Sequence, residues 1–256
     1  MTGPARVVVV HPDATTLAQA TAARLLLHLI DAQSTHRPLH VALTGGTVGI
    51  RTLAEVAASP LRDAVDWTGV HLWWGDERFL PTGDPERNET QAREALLDAL
   101  AVPGENVHPM PGPDRSASPE ESAEAYAAEL ARAATSASPD AIAPSDDAGP
   151  QVPPFDVVLL GMGPDGHVAS LFPGHPELDV VDRTVVGVHG SPKPPPERVS
   201  LTYAALEAAD EIWVVAAGAE KADAVGRALA GDDATPAARA VARGRTLWLL
   251  DAAAAG

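Results

Sequence analysis

Residues Phe155 to Pro176 read FDVVLLGMGPDGHVASLFPGHP, and the change of character within that stretch decides the fold. Phe155 to Leu160 is an apolar run interrupted only by Asp156. A run that short, rich in Val and Leu and stopped by glycine, reads as a strand buried on both faces. Gly161, Gly163 and Gly166 follow in quick succession, with Asp165 and His167 among them. Glycine permits positive φ and lets the backbone approach a ligand closely. A carboxylate two residues from an imidazole, at the mouth of a buried strand, lies where open α/β sheets hold their chemistry. The stretch therefore reads as an active-site loop.

Two plainer readings compete with this one. GMGPDG satisfies the dinucleotide pattern G-x-G-x-x-G. That fingerprint needs a long helix behind it and an acidic residue about 20 positions on. Here Pro173 and Pro176 cut any helix short, Asp165 would set a carboxylate against the phosphates, and the stretch lies far from the first strand. A dinucleotide site is rejected. The other reading makes His167 an ordinary loop histidine; the three glycines and Asp165 around it favour function.

Outward from this loop the chain alternates strands and helices. Towards the N-terminus, Val7 to His11 reads as a buried strand and Ala14 to Ile30 as a helix. Leu39 to Leu43 is a second strand that runs into Thr44-Gly45-Gly46-Thr47, with a helix through Ile50 to Val56 directly behind. Strand, glycine-rich turn and helix is the arrangement in which amides at a helix N-terminus hold a phosphate, though a plain tight turn looks the same. No Gly-Lys-Ser/Thr follows, so it is not a Walker A loop. Val70 to Trp74 is a third strand; the charges of Asp76, Glu77 and Arg78 at its end fit a solvated rim or a site. Glu89 to Leu100 and the alanine-rich Glu120 to Ala134 read as helices, the latter on the surface.

Ser136 to Pro154 is rich in Ser, Pro, Asp and Ala and aperiodic, which predicts a flexible loop or insertion at about 136–154 within one domain spanning 1–256. Beyond the central loop, Thr184 to Val188, Val199 to Thr202, Glu211 to Ala217 and Thr246 to Leu250 read as extended, and Leu201 to Leu206 as a turn of helix. Between them lies the stiff segment Ser191-Pro192-Lys193-Pro194-Pro195-Pro196-Glu197-Arg198. Lys221 falls in the first turn of a helix, where a cation is disfavoured unless an anion is bound beside it. The alternation predicts an α/β fold, a doubly wound, mostly parallel sheet with helices on both faces.

Composition narrows the function. The 256 residues carry a formal charge of −17, which argues against nucleic-acid and anionic-membrane partners. Cysteine is absent, which removes thiolate chemistry, and the nine histidines show no metal-ligand spacing, so no metal is expected. No apolar stretch approaches the ~20 residues of a membrane span, and the N-terminus lacks a secretory pattern; a cytoplasmic protein is expected. The chain has only two lysines, Lys193 and Lys221, and both lie in stretches of interest.

Taken together, LTGGTVG at Leu43 to Gly49, WWGDERFLP at Trp73 to Pro81 with Asn88 beyond it, and LLGMGPDGHVASLFPGHP at Leu159 to Pro176 resemble the 6-phosphogluconolactonase family, within the wider group of sugar-phosphate isomerases and deaminases. PPERVSLTY at Pro195 to Tyr203 and the Lys221 stretch belong to the same resemblance. It implies a Rossmann-like sheet of the sugar-phosphate isomerase type, and a cofactor-free hydrolysis of 6-phospho-D-glucono-1,5-lactone to 6-phosphogluconate in the oxidative pentose phosphate pathway. His167 would be the base that activates water, with Asp165 beside it. Thr44, Gly45, Gly46 and Thr47 with Arg198 and Lys221 would cradle the phosphate, and Lys193 would lie nearby. Arg78 would face the substrate, Asp76 would shape that corner, and Gly163 would bring the loop backbone against it. One departure is Val48-Gly49, where the family's first motif continues Ser/Thr-Pro; it bears on how the helix begins.

The residues suit that chemistry independently. A δ-lactone is an activated ester, so it needs a base for water, donors for the carbonyl oxyanion and an acid for the departing ring oxygen. One histidine can serve first and last, and the amides of the Gly161 to Gly166 loop are candidates for the oxyanion. Among the relatives, glucosamine-6-phosphate deaminases have a glutamate five residues beyond the histidine; here that position is Phe172, which cannot carry a proton. A non-catalytic sugar-phosphate sensor is the remaining alternative; such proteins usually add a DNA-binding segment, and none fits before Val7.

Overall fold

The computed structural model describes residues 5–137 and 151–256. Most of the segment 136–154, read above as a flexible insertion, lies outside the described residues. Among those described, nine strands occur in the order β1 (Ala5–His11), β2 (Leu39–Leu43), β3 (Val70–Trp74), β4 (Asp76–Arg78), β5 (Phe155–Gly161), β6 (Val185–Val188), β7 (Arg198–Leu201), β8 (Glu211–Ala216) and β9 (Arg245–Asp251). The α-helices are α1 (Ala14–Gln33), α2 (Gly46–Ala58), α3 (Asn88–Ala95), α4 (Pro119–Ala137), α5 (Tyr203–Leu206), α6 (Ala222–Leu229), α7 (Pro236–Arg239) and α8 (Ala252–Ala255). None of the described helices is long and apolar enough to cross a membrane.

Six strands form a parallel sheet in the order β1-β9-β8-β5-β2-β3. In its middle lies β5, buried from Phe155 to Leu160 as the apolar run requires. Alternate side chains feed two cores. Val157 and Leu159 join Leu25, Leu29 and Leu53 of α1 and α2 on one face. Val158 and Leu160 join Tyr126, Ala224 and Ala254 of α4, α6 and α8 on the other. Helices thus cover both faces. The sequence of α1 suits this role: its buried residues Leu17, Thr21, Leu25 and Leu29 recur every four positions, flanked by buried Ala18, Ala22 and Leu26. Asp13 caps its start by accepting from the Thr16 amide at 2.7 Å.

Three expectations change. The strand from Val7 is not buried: β1 is the sheet's edge, and Val7, Val8 and Val10 are 40–51% exposed. An apolar run reports strand tendency, whereas burial depends on where topology puts the strand. The charged Asp76–Arg78 stretch is a strand, and with β7 and β6 it makes a separate antiparallel sheet in the order β4-β7-β6. No helix intervenes between β6 and β7, which is why they pair as a hairpin. Val185, Val199 and Leu201 of this small sheet share the core of Val158 and Leu160. Finally, α4 is more than a surface helix. Tyr126 and Leu130 are fully buried, and the Tyr126 hydroxyl accepts from the Trp74 amide at 2.9 Å.

Candidate functional site

Strand order locates the site. From β2 the chain moves outward to β3, whereas from β5 it moves the other way through β8 to β9. The direction reverses between the neighbours β2 and β5, and the crevice beyond the carboxyl ends of such strands is where open α/β sheets bind ligands. A cavity of about 250 Å³ lies there. Thr44 to Thr47 reach it from β2, Asp76 and Arg78 from β4, and Gly163 and His167 from the loop after β5. Lys193 and Arg198 reach it from the β6–β7 hairpin and Lys221 from the segment after β8. Asp165, the one remaining candidate, touches the cavity through its bond to His167.

The Thr44 turn leads into an uncapped helix start. α2 begins at Gly46, whose φ is +79°, and neither a side-chain cap nor an acidic residue occupies its first turn. The leading amides of α2 therefore need partners from elsewhere. Val48-Gly49, the departure noted in the sequence, leaves this start intact; a Cβ at Gly49 would come within 2.8 Å of the Thr44 methyl. The Thr44 hydroxyl accepts from the Gly161 amide at 3.0 Å and so locks this turn to the loop after β5.

In that loop His167 Nδ1 lies 2.5 Å from Asp165 Oδ1. A carboxylate only accepts, so Nδ1 carries a proton, and in the neutral ring the lone pair then lies on Nε2. Burial works to raise the Asp165 pKa, but the hydrogen bond and charge of His167, with Lys193 behind, bring it down to about 2. The pair persists at neutral pH. Gly163 is obligatory: a Cβ there would sit 2.1 Å from the His167 ring. The buried Phe172 ring backs the imidazole at 4.6 Å between centroids.

One expectation narrows here. The amide of Gly161 donates to Thr44, that of Gly163 to the His167 carbonyl at 3.0 Å, and that of Gly166 to the Gly163 carbonyl at 2.9 Å. These glycine amides fold the loop and are not free for an oxyanion. Elsewhere on the cavity wall stands Arg78, whose guanidinium carries further donors.

The cations divide into two kinds. Arg198 is buried, and burial lowers its pKa against the pull of Asp76. Its Nε and Nη2 donate to the carbonyls of Lys193, Pro194 and Pro195 at 3.1–3.2 Å, while Nη1 faces Asp76 at 3.8 Å. Arg198 thus braces the proline loop that carries Lys193. Lys193 and Lys221 have no ion-pair partner within 4 Å among the described residues. Burial lowers the Lys221 pKa, Lys193 adds to the lowering, and Glu220 and Asp251 oppose it. Two ammonium groups thus face one cavity in a chain of net charge −17.

Sequence reasoning missed the supporting shell. Glu77, which the sequence allows as a rim charge, is buried and accepts from the amides of Arg78, Asn88 and Glu89 at 2.7–2.9 Å. Burial pushes its pKa up to about 7 despite Arg87 and these amides. Asn88 donates to the Asp76 carbonyl at 2.8 Å and lines the cavity; its place in the motif was the available signal. Among the described residues no group of three or more His, Asp or Glu could hold a metal ion.

Comparison with known proteins places the chain among relatives of one family. The family model described as glucosamine-6-phosphate isomerases/6-phosphogluconolactonase matches residues 12–248. A 6-phosphogluconolactonase of Streptomyces coelicolor is 54% identical over 251 residues, covering 96% of this chain and 92% of that one. One of Mycobacterium tuberculosis is 43% identical over 248 residues, covering 96% of each. The solved 6-phosphogluconolactonase of Trypanosoma brucei superimposes with a TM-score of 0.80 at 31% identity, covering 100% of this chain and 98% of that one.

Proposed function

This chain belongs to the glucosamine-6-phosphate isomerase and 6-phosphogluconolactonase family, and from that premise we infer that it hydrolyses 6-phospho-D-glucono-1,5-lactone to 6-phosphogluconate in the oxidative pentose phosphate pathway. A cytoplasmic location accords with that role. The observation that carries the reading is the His167–Asp165 pair with Nε2 free, at a cavity that Lys193 and Lys221 also reach.

The roles follow from the atoms available. Asp165 holds the Nδ1 proton and keeps Nε2 basic and oriented. Nε2 takes a proton from water as its oxygen attacks the lactone carbonyl carbon. Arg78 offers donors for the oxyanion that develops. When the ring C–O bond breaks, the imidazolium returns its proton to the departing alkoxide, and the histidine is regenerated. The phosphate, remote from the reacting carbon, sits against the amides of α2 with Lys193 and Lys221, and its binding orients the ring. Arg198 acts mainly through the loop it braces.

Phe172 speaks against the deaminase alternative, since the residue packed on His167 cannot exchange a proton. The test is acid release from freshly made 6-phosphogluconolactone, corrected for spontaneous opening. Release no faster than the uncatalysed background would overturn the reading.

A further inference from the structure

Ala169 is the only non-glycine residue with positive φ among the described residues, at +49°. It lies two positions beyond His167 and lines the cavity. Its Cβ disfavours that left-handed backbone, so the conformation persists only if its surroundings hold it. Before Ala169 the holding is local: the Gly163 amide ties back to the His167 carbonyl, and Val168 bridges to Met162 and to Leu171. After Ala169 it is remote. Ser170 is fully buried, and its hydroxyl donates to Asp76 Oδ2 at 2.6 Å, 94 residues away. Its amide donates to the Ser200 hydroxyl at 3.2 Å. Asp76 and Ser200 are themselves partners across the β4–β7 pair. Both donors of Ser170 are therefore anchored on one rung of the small sheet.

We propose that Ser170 is a positioning residue for lactone hydrolysis. Fixed to the Asp76–Ser200 rung, it keeps Ala169 left-handed and so keeps the His167 imidazole aimed into the cavity. Asp76 then serves as the anchor of the catalytic loop, with Oδ2 on Ser170 and Oδ1 within 3.3 Å of the Asn88 amide nitrogen. The proposal rests on the reading of His167 as the base.

The test compares wild type, Ser170→Ala, and Ser170→Ala combined with Ala169→Gly. Two quantities are read: kcat and KM for 6-phosphogluconolactone, and the ¹⁵N signals of the His167 ring. Ser170→Ala is expected to lose roughly 10-fold in kcat, with KM changed by less than about two-fold and the ring signals shifted. Adding Ala169→Gly should restore most of the kcat and return the ring signals, because glycine takes the left-handed conformation unaided. A wild-type kcat in Ser170→Ala, a loss confined to KM, or a loss that glycine does not rescue would each overturn the proposal. Should Ser170→Ala fail to fold, Ser200→Ala removes the acceptor of the Ser170 amide and must give the same kcat-only loss. The ring signals are legible even without turnover. Unshifted signals in Ser170→Ala therefore count against the positioning role, whereas an inactive wild type counts against the parent reading.

Discussion

The large sheet has a histidine–carboxylate pair at each end. At the carboxyl ends of the strands, His167 Nδ1 meets Asp165 at 2.5 Å; near the amino ends, His108 Nδ1 meets Glu129 at the same distance. The pairs differ in what the second nitrogen faces. His167 Nε2 looks into a cavity that Lys193 and Lys221 also reach. His108 Nε2 lies 2.9 Å from His71 Nδ1, and its ring stacks on Trp73 at 3.8 Å. A histidine–carboxylate pair becomes a candidate base only when its outer nitrogen is left without a partner at a place a substrate can reach. With that nitrogen occupied, the same pair is structural.

Removing the two imidazoles in turn breaks the comparison most directly. His167→Asn keeps some hydrogen bonding but cannot exchange a proton near neutral pH. It should lower turnover by about 10²–10⁴-fold while leaving 6-phosphogluconate binding nearly unchanged. His108→Asn should leave turnover within a few-fold and instead lower stability by about 1–3 kcal/mol, through lost hydrogen bonds and stacking. Steady-state kinetics and urea unfolding on both variants separate the outcomes. A catalytic loss in His108→Asn would erase the distinction.

A smaller effect sharpens what the free cations contribute. Lys221→Ala should weaken binding of the phosphorylated lactone by about 1.5–3 kcal/mol, roughly 10- to 150-fold, with little effect on an unphosphorylated δ-lactone. Kinetics in which both lactones suffer equally would move the phosphate away from Lys221.

How far the sequence carries each region follows from the kind of signal it holds. β2 and β3 are legible to the residue, because apolar runs bounded by Pro and Gly report strands directly. All but one of the candidate site residues line the cavity, because motifs at strand ends are local in sequence. The exposure of β1 is not legible, since strand order is a property of the whole chain. Ser170 and Glu77 are hidden for a related reason: their roles consist of bonds to partners far away in sequence or to backbone amides, which no local pattern encodes. The three glycine amides of the loop read as free donors because glycine content reveals conformational freedom and says nothing about where the N–H groups end up.

A further expected effect concerns acid, and it belongs to the amino end of the strands. Trp73 Nε1 donates to His40 Nδ1 at 3.2 Å, so the His40 proton sits on Nε2, which is buried without a partner among the described residues. Burial, with added repulsion from His71, His108 and His36, lowers the His40 pKa to about 3. The opposing charge nearby, Asp156, meets only the His40 amide, at 2.7 Å, and the His36 ring. In the unfolded chain His40 titrates near 6.5, so between pH 6.5 and 3 the unfolded state takes up a proton that the folded state refuses. Stability should therefore fall as pH drops through that window. At pH 5 the expected loss from His40 is about 2 kcal/mol, the equivalent of ~1.5 pH units at 1.36 kcal/mol each. His71, whose pKa burial also lowers, should add to the same trend. His40→Asn keeps an acceptor for the Trp73 indole and removes the titrating group. Urea unfolding at pH 7 and pH 5 should then show a stability difference smaller than that of wild type by about the same 2 kcal/mol. If the two chains lose equal stability on acidification, the acid sensitivity lies in groups other than His40.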